Sequence, residues 1–140
     1  MVVTVSVNYL AVLVATVVQM IVGGLWYSPL LFGKMWIKLS GLSQKQLEEC
    51  KKKGMGKSYA LMFLGALVMN YVLAHFVAYT GATTFTLGMQ TGFWIWLGFL
   101  ATTTMGMVLW DNKPWSLYVL NNGYHLIVLL LTGGLLAVWL

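Results

Sequence analysis

Residues 5–27 read VSVNYLAVLVATVVQMIVGGLWY, an apolar run without one charged side chain. A hydrocarbon core about 30 Å thick is crossed by roughly 20 residues of helix, so a run of this length spans a bilayer. It has no alternation of polar and apolar residues, which chooses helix over strand. Three further runs of the same kind follow at about 58–80, 87–110 and 115–140. The reading is a single all-α integral membrane domain over residues 1–140, with four transmembrane helices and a loop at about 28–57.

Composition agrees with this reading. Sixty per cent of the residues are hydrophobic, 8% are charged, and the mean hydropathy is +0.83. A soluble domain of this size cannot cover that much apolar surface, whereas lipid satisfies it if the backbone pairs internally. The first run is expected to be a retained helix and not a cleaved signal, because residues 1–10 hold no Lys or Arg and the run is too long for a signal's apolar core.

The lysines set the orientation. Lys34, Lys38, Lys45, Lys51, Lys52, Lys53 and Lys57 lie between the first and second runs with only Glu48 and Glu49 against them. The next link carries no charge, and the last holds Asp111 and Lys113. By the positive-inside rule the lysine-rich loop is cytoplasmic and both termini face out. The +5 net charge is therefore a topology signal, and no nucleic-acid partner is expected. Anionic lipid headgroups are the expected partners of this loop, at about 1 kcal/mol per lysine. Cys50, the one cysteine, excludes a disulfide within the chain and reads as a reduced thiol.

Within the loop, Ser43 and Gln46 stand at capping-box spacing, and Leu42 and Leu47 at that of a hydrophobic staple. Glu48 with Lys52 and Glu49 with Lys53 are i,i+4 pairs in the favourable order. A short cytoplasmic helix is predicted over about 44–53, closed by Gly54. The following Gly-Met-Gly-Lys-Ser imitates a phosphate loop, but the first glycine of that motif would fall on Lys51 and no strand precedes it. It reads as a hinge. Upstream, Trp26 and Tyr27 suit headgroup level. Pro29 pushes Ser28 out of the helical region and can itself open a helix. With Lys34, Lys38 and Trp36 beyond it, this stretch reads as a membrane elbow followed by a helix lying in the interface.

Away from their ends the four runs contain no Asp, Glu, Lys or Arg, which argues against a proton- or sodium-coupled carrier built on an acidic site. Neutral polar residues remain. Gln19, Asn70, Thr102 to Thr104, Asn121, Asn122 and His125 all fall in the inner to middle depth and can meet in one layer. Such side chains serve as packing glue between helices, at about 0.6 kcal/mol each, or they line a ligand site or pore. Gln19, Asn70, Thr103, Asn121, Asn122 and His125 are the candidates for the second role. His125 can also titrate, bind metal or orient a ligand. His75 lies toward the other end of its helix, and with no carboxylate or cysteine beside either histidine no metal site, cofactor or catalytic set is expected. Small residues recur every four positions, at Gly88 and Gly92, then Gly98, Thr102 and Gly106, and at Ala66, Asn70, Ala74 and Ala78. They suit close helix packing within the chain or across an oligomer seam.

Together, WYSPLLFGKMW at 26–36, NNGYHLIVLL at 121–130 and the opening NYLAVLVA at 8–15 resemble the bacterial and archaeal membrane family known as domain of unknown function 1761. The likeness covers nearly the whole chain and implies a small multi-helix protein of the cytoplasmic membrane. It implies no activity, and it draws attention to Trp26, Tyr27, Pro29, Gly33, Trp36, Tyr124 and His125. The leading expectation is a non-enzymatic homo-oligomer or accessory membrane subunit. Its rivals are a permeation protein for a small neutral or weakly charged solute, lined by the polar layer, and a membrane-embedded enzyme using His125 on a lipid-soluble substrate.

Overall fold

The computed structural model describes residues 5–41, 43–52 and 56–139. Every regular element among them is helical. In chain order these are α1 (Tyr9–Trp26), α2 (Gly33–Ser40), α3 (Gln44–Lys52), α4 (Gly56–Tyr79), α5 (Phe85–Ile95), α6 (Gly106–Leu109) and α7 (Trp115–Trp139). A π-helical stretch, Trp96–Ala101, and a 3-10 turn, Thr103–Met105, join α5 to α6, so that Phe85–Leu109 runs on as one rod. That rod, α1, α4 and α7 are each long and apolar enough to cross a membrane.

Local chemistry places the helix ends. Asn8 caps α1, its Oδ1 accepting the Ala11 N–H at 3.1 Å, and Thr84 caps α5 by accepting from Leu87. Before α3, Ser43 and Gln46 bond reciprocally: the Ser43 N–H donates to Gln46 Oε1 at 2.9 Å and the Gln46 N–H to Ser43 Oγ at 3.2 Å. Pro29 does not open a helix. The chain turns on itself from Tyr27 to Phe32, with the Leu31 and Gly33 N–H groups both donating to the Ser28 carbonyl, and α2 starts only at Gly33. The Leu42–Leu47 staple, the Glu48–Lys52 and Glu49–Lys53 pairs, the Cys50 thiol and the hinge at Gly54 lie outside the described residues and side chains.

Two close-packed pairs build the bundle. Ala11 and Ala15 of α1 meet a face of α4 with Leu73 and Ala74, and small side chains there let the axes approach. The α5–α7 contact is closer still. A Cβ on Gly88 would strike the Gly133 carbonyl oxygen, one on Gly92 the Leu129 carbonyl, and one on Gly134 the Phe85 ring at 2.7 Å. Val77, Leu129 and Leu136 then complete the interior. The outside is apolar: Leu10, Leu13, Leu61, Met62, Leu64 and Val68 are all exposed. Water does not tolerate so continuous an apolar surface, and lipid does.

Candidate functional site

The polar residues of the four long helices are joined by hydrogen bonds in separate sets. The first lies between α1 and α4, where Asn70 Nδ2 donates to Gln19 Oε1 and to the Ala66 carbonyl, each at 2.8 Å. Two acceptors around one nitrogen fix the orientation of the amide. Asn70 is fully buried and Gln19 nearly so. From α7, the Tyr124 hydroxyl reaches the Gln19 carbonyl at a long 3.4 Å. Asn70 Oδ1 has no hydrogen-bond partner among the described residues.

A second set lies between α7 and the rod. Asn122 Nδ2 donates to Thr104 Oγ1 at 2.9 Å and to the Tyr118 carbonyl at 3.0 Å, while the Thr104 hydroxyl donates back to Leu100. The Tyr118 hydroxyl donates to the Ala101 carbonyl. That carbonyl lies in the π-helical stretch, where the widened turn disturbs the usual i to i−4 pattern. Thr103 is not part of this set. It is exposed and gives its hydroxyl proton to the carbonyl of Phe99.

The third set brings the elbow onto the start of α7. Trp26 Nε1 donates to the Leu120 carbonyl at 3.2 Å, Tyr27 OH to Asn121 Oδ1 at 2.8 Å, and Trp96 Nε1 to the Asn122 carbonyl at 2.9 Å. Three consecutive residues of α7 are thus each held by an aromatic side chain from another element. The rings pack as well: Tyr124 lies 5.4 Å from Tyr27 and 6.4 Å from Trp26, and Tyr27 lies 5.8 Å from Trp36. Glycines make the room. A Cβ on Gly23 would sit 2.8 Å from the Tyr124 hydroxyl, and one on Gly33 would meet the backbone of Tyr27 and Ser28 at 2.5 to 2.8 Å.

His125 stands at the edge of this cluster, its ring 5.0 Å from that of Tyr124. Its Nδ1 is buried without a partner among the described residues. His75 belongs elsewhere: its Nδ1 donates to the Tyr71 carbonyl at 2.8 Å, and its ring lies against Tyr71 and Tyr79. Pro29 and Lys34 are exposed. Among the described residues no three His, Cys, Asp or Glu side chains gather where a metal ion would fit.

The two motifs WYSPLLFGKMW and NNGYH therefore form one clasp, in which the first grips the second. Sequence reasoning treated them apart, because the hydrogen-bonded partners are 94 positions distant. The available signal was a pairing of chemistry: Trp and Tyr donors in one motif, and an Asn acceptor two residues before a glycine in the other. A family model matches the chain over residues 10–137. The chain belongs to the family described as Protein of unknown function (DUF1761). No curated protein and no solved structure matches the chain. Both halves of the clasp lie inside the matched residues.

Proposed function

We propose that this family member is a non-enzymatic multi-pass membrane protein that acts as a subunit of a homo-oligomer. In this reading the four long helices cross a bacterial or archaeal cytoplasmic membrane. The side carrying α3 faces the cytoplasm, both termini face out, and α2 lies in the interface. The lysine distribution supports the orientation, and the exposed Lys34, Met35 and Lys38 of α2 support its place at headgroup level.

The observation that carries the subunit reading is the uncovered face of the third long helix. Only 11% of its most apolar 18-residue stretch is buried, against 50% for α7. Along that face Gln90, Trp94, Gly98 and Thr102 are exposed at intervals of four. Nothing lies within 4 Å of where a Gly98 side chain would begin, so another helix can approach the backbone there. Lipid tails offer the Gln90 amide no hydrogen bond, whereas the same stripe on a second copy in the same orientation offers a second amide at the same depth. An isologous contact pairs those groups reciprocally. The polar side chains of the interior, by contrast, are largely engaged with one another and with the backbone.

The test is the number of subunits, counted by stepwise photobleaching of a labelled chain in native-membrane nanodiscs. Wild type is expected to give two or more steps, and Gly98→Leu to shift the distribution to single steps without loss of helicity. Single steps for the wild type, or an unchanged count for Gly98→Leu, would overturn the reading.

A further inference from the structure

Between α2 and the first turns of α7 lies an open groove of about 570 Å³, walled by Trp26, Phe32, Met35, Trp115, Val119 and Gly123. Its volume is that of a ligand-sized cleft. Its walls are almost wholly apolar, and Val119 within it is 65% exposed. Lysines adjoin its lining residues in the chain. Lys34 and Lys38 flank Met35 in sequence, one before and one a helical turn after, and both are exposed. Lys113 lies just before Trp115 and donates to the Ser40 carbonyl at 3.0 Å, closing the far end of α2 against the start of α7. A lysine ammonium carries three donors, so two remain free there. None of the three lysines forms an ion pair among the described residues, and the nearby turn contributes one carboxylate, Asp111.

We infer that this groove binds one anionic phospholipid, with an acyl chain along Trp115, Val119 and Gly123 and its phosphate between Lys34, Lys38 and Lys113. The inference rests on the membrane reading above and adds to it a defined site for a single lipid molecule, acyl chain included. An acyl chain matches the apolar walls, and a phosphate matches three cations that only one backbone carbonyl engages. Two tryptophans at the groove suit the depth at which chains meet headgroups. A zwitterionic lipid would gain the same walls but less from the lysines.

The purified full chain is equilibrated in detergent with equal amounts of phosphatidylglycerol and phosphatidylcholine of identical acyl chains, and the retained lipid is counted by native mass spectrometry. Wild type is expected to keep phosphatidylglycerol in preference. Substituting Lys34→Gln, Lys38→Gln and Lys113→Gln should weaken its retention by about fivefold per lysine at low salt. Val119→Trp fills the groove without touching a charge, and it should lower retention of either lipid. The pair Lys45→Gln and Lys57→Gln, exposed lysines outside the groove, should change retention far less. Equal retention of the two lipids by wild type would overturn the inference. So would an effect of the control pair as large as that of the groove lysines, or no effect of Val119→Trp. Failure of the membrane reading itself shows differently, as release of the chain from membranes by alkaline carbonate.

Discussion

Replacing Gly92 by alanine tests whether α5 and α7 depend on backbone contact. The added methyl would lie 2.8 Å from the Leu129 carbonyl carbon, about 0.6 Å inside the 3.4 Å at which ordinary contact begins, and closer still to the oxygen. Neither atom can swing away, because both belong to the α7 backbone. The helices must part, and everything packed along the seam, including the Gly88–Gly133 contact one turn away, loosens with them. Overpacking of this kind costs about 1–3 kcal/mol. Against it stands the intrinsic gain of alanine over glycine in a helix, about 0.5–1 kcal/mol. Gly65→Ala isolates that gain, since nothing lies within 4 Å of the Gly65 position. Unfolding both variants in mixed micelles with rising dodecyl sulfate should show Gly92→Ala destabilised by about 1–2 kcal/mol and Gly65→Ala unchanged or stabilised. If Gly92→Ala were as stable as Gly65→Ala, the close approach of the two helices would be refuted.

Two further outcomes follow from the hydrogen-bonded sets. Asn70→Leu strands the buried Gln19 amide and should cost about 1–3 kcal/mol in the same unfolding assay, whereas Gln19→Leu together with Asn70→Leu should recover most of the loss. A double variant as unstable as the sum of the singles would show that the amides do not interact. At the clasp, a double-mutant cycle on Tyr27→Phe and Asn121→Ala should return a coupling of about 0.6 kcal/mol, the usual size for a hydrogen bond between membrane helices, and a coupling of zero would dissolve the clasp as an energetic unit.

The four long helices were legible because membrane spans announce themselves by length and composition, which depend on no partner. The start of α3 was equally legible, since a capping box is complete within four residues. Azimuth was not. Depth along a helix puts Gln19, Asn70, Thr103, Asn121 and Asn122 at similar levels, but it does not say which way each points, and the bundle sorts them into separate sets with Thr103 turned outward. The π-helical stretch was invisible as well. Nothing in Trp-Leu-Gly-Phe-Leu-Ala signals a wide turn, which is tied to α7 from both sides, by Tyr118 of α7 donating to Ala101 and by Trp96 donating to Asn122. Pro29 misled for a related reason: its fixed φ allows a helix to begin, but the carbonyl of Ser28 captures the next N–H groups and delays it to Gly33.

The reach of the clasp bears on biogenesis. Trp26 and Tyr27 are made early, yet the backbone carbonyl and the side-chain amide oxygen that receive their protons belong to residues 120 and 121. While the ribosome works through the intervening chain, an indole N–H and a phenol must wait for partners not yet translated. The first helix can meet α4 earlier, through Gln19 and Asn70, but its C-terminal end gains these partners only when α7 arrives. A chain that lacks the last helix leaves an indole N–H and a phenol without these acceptors.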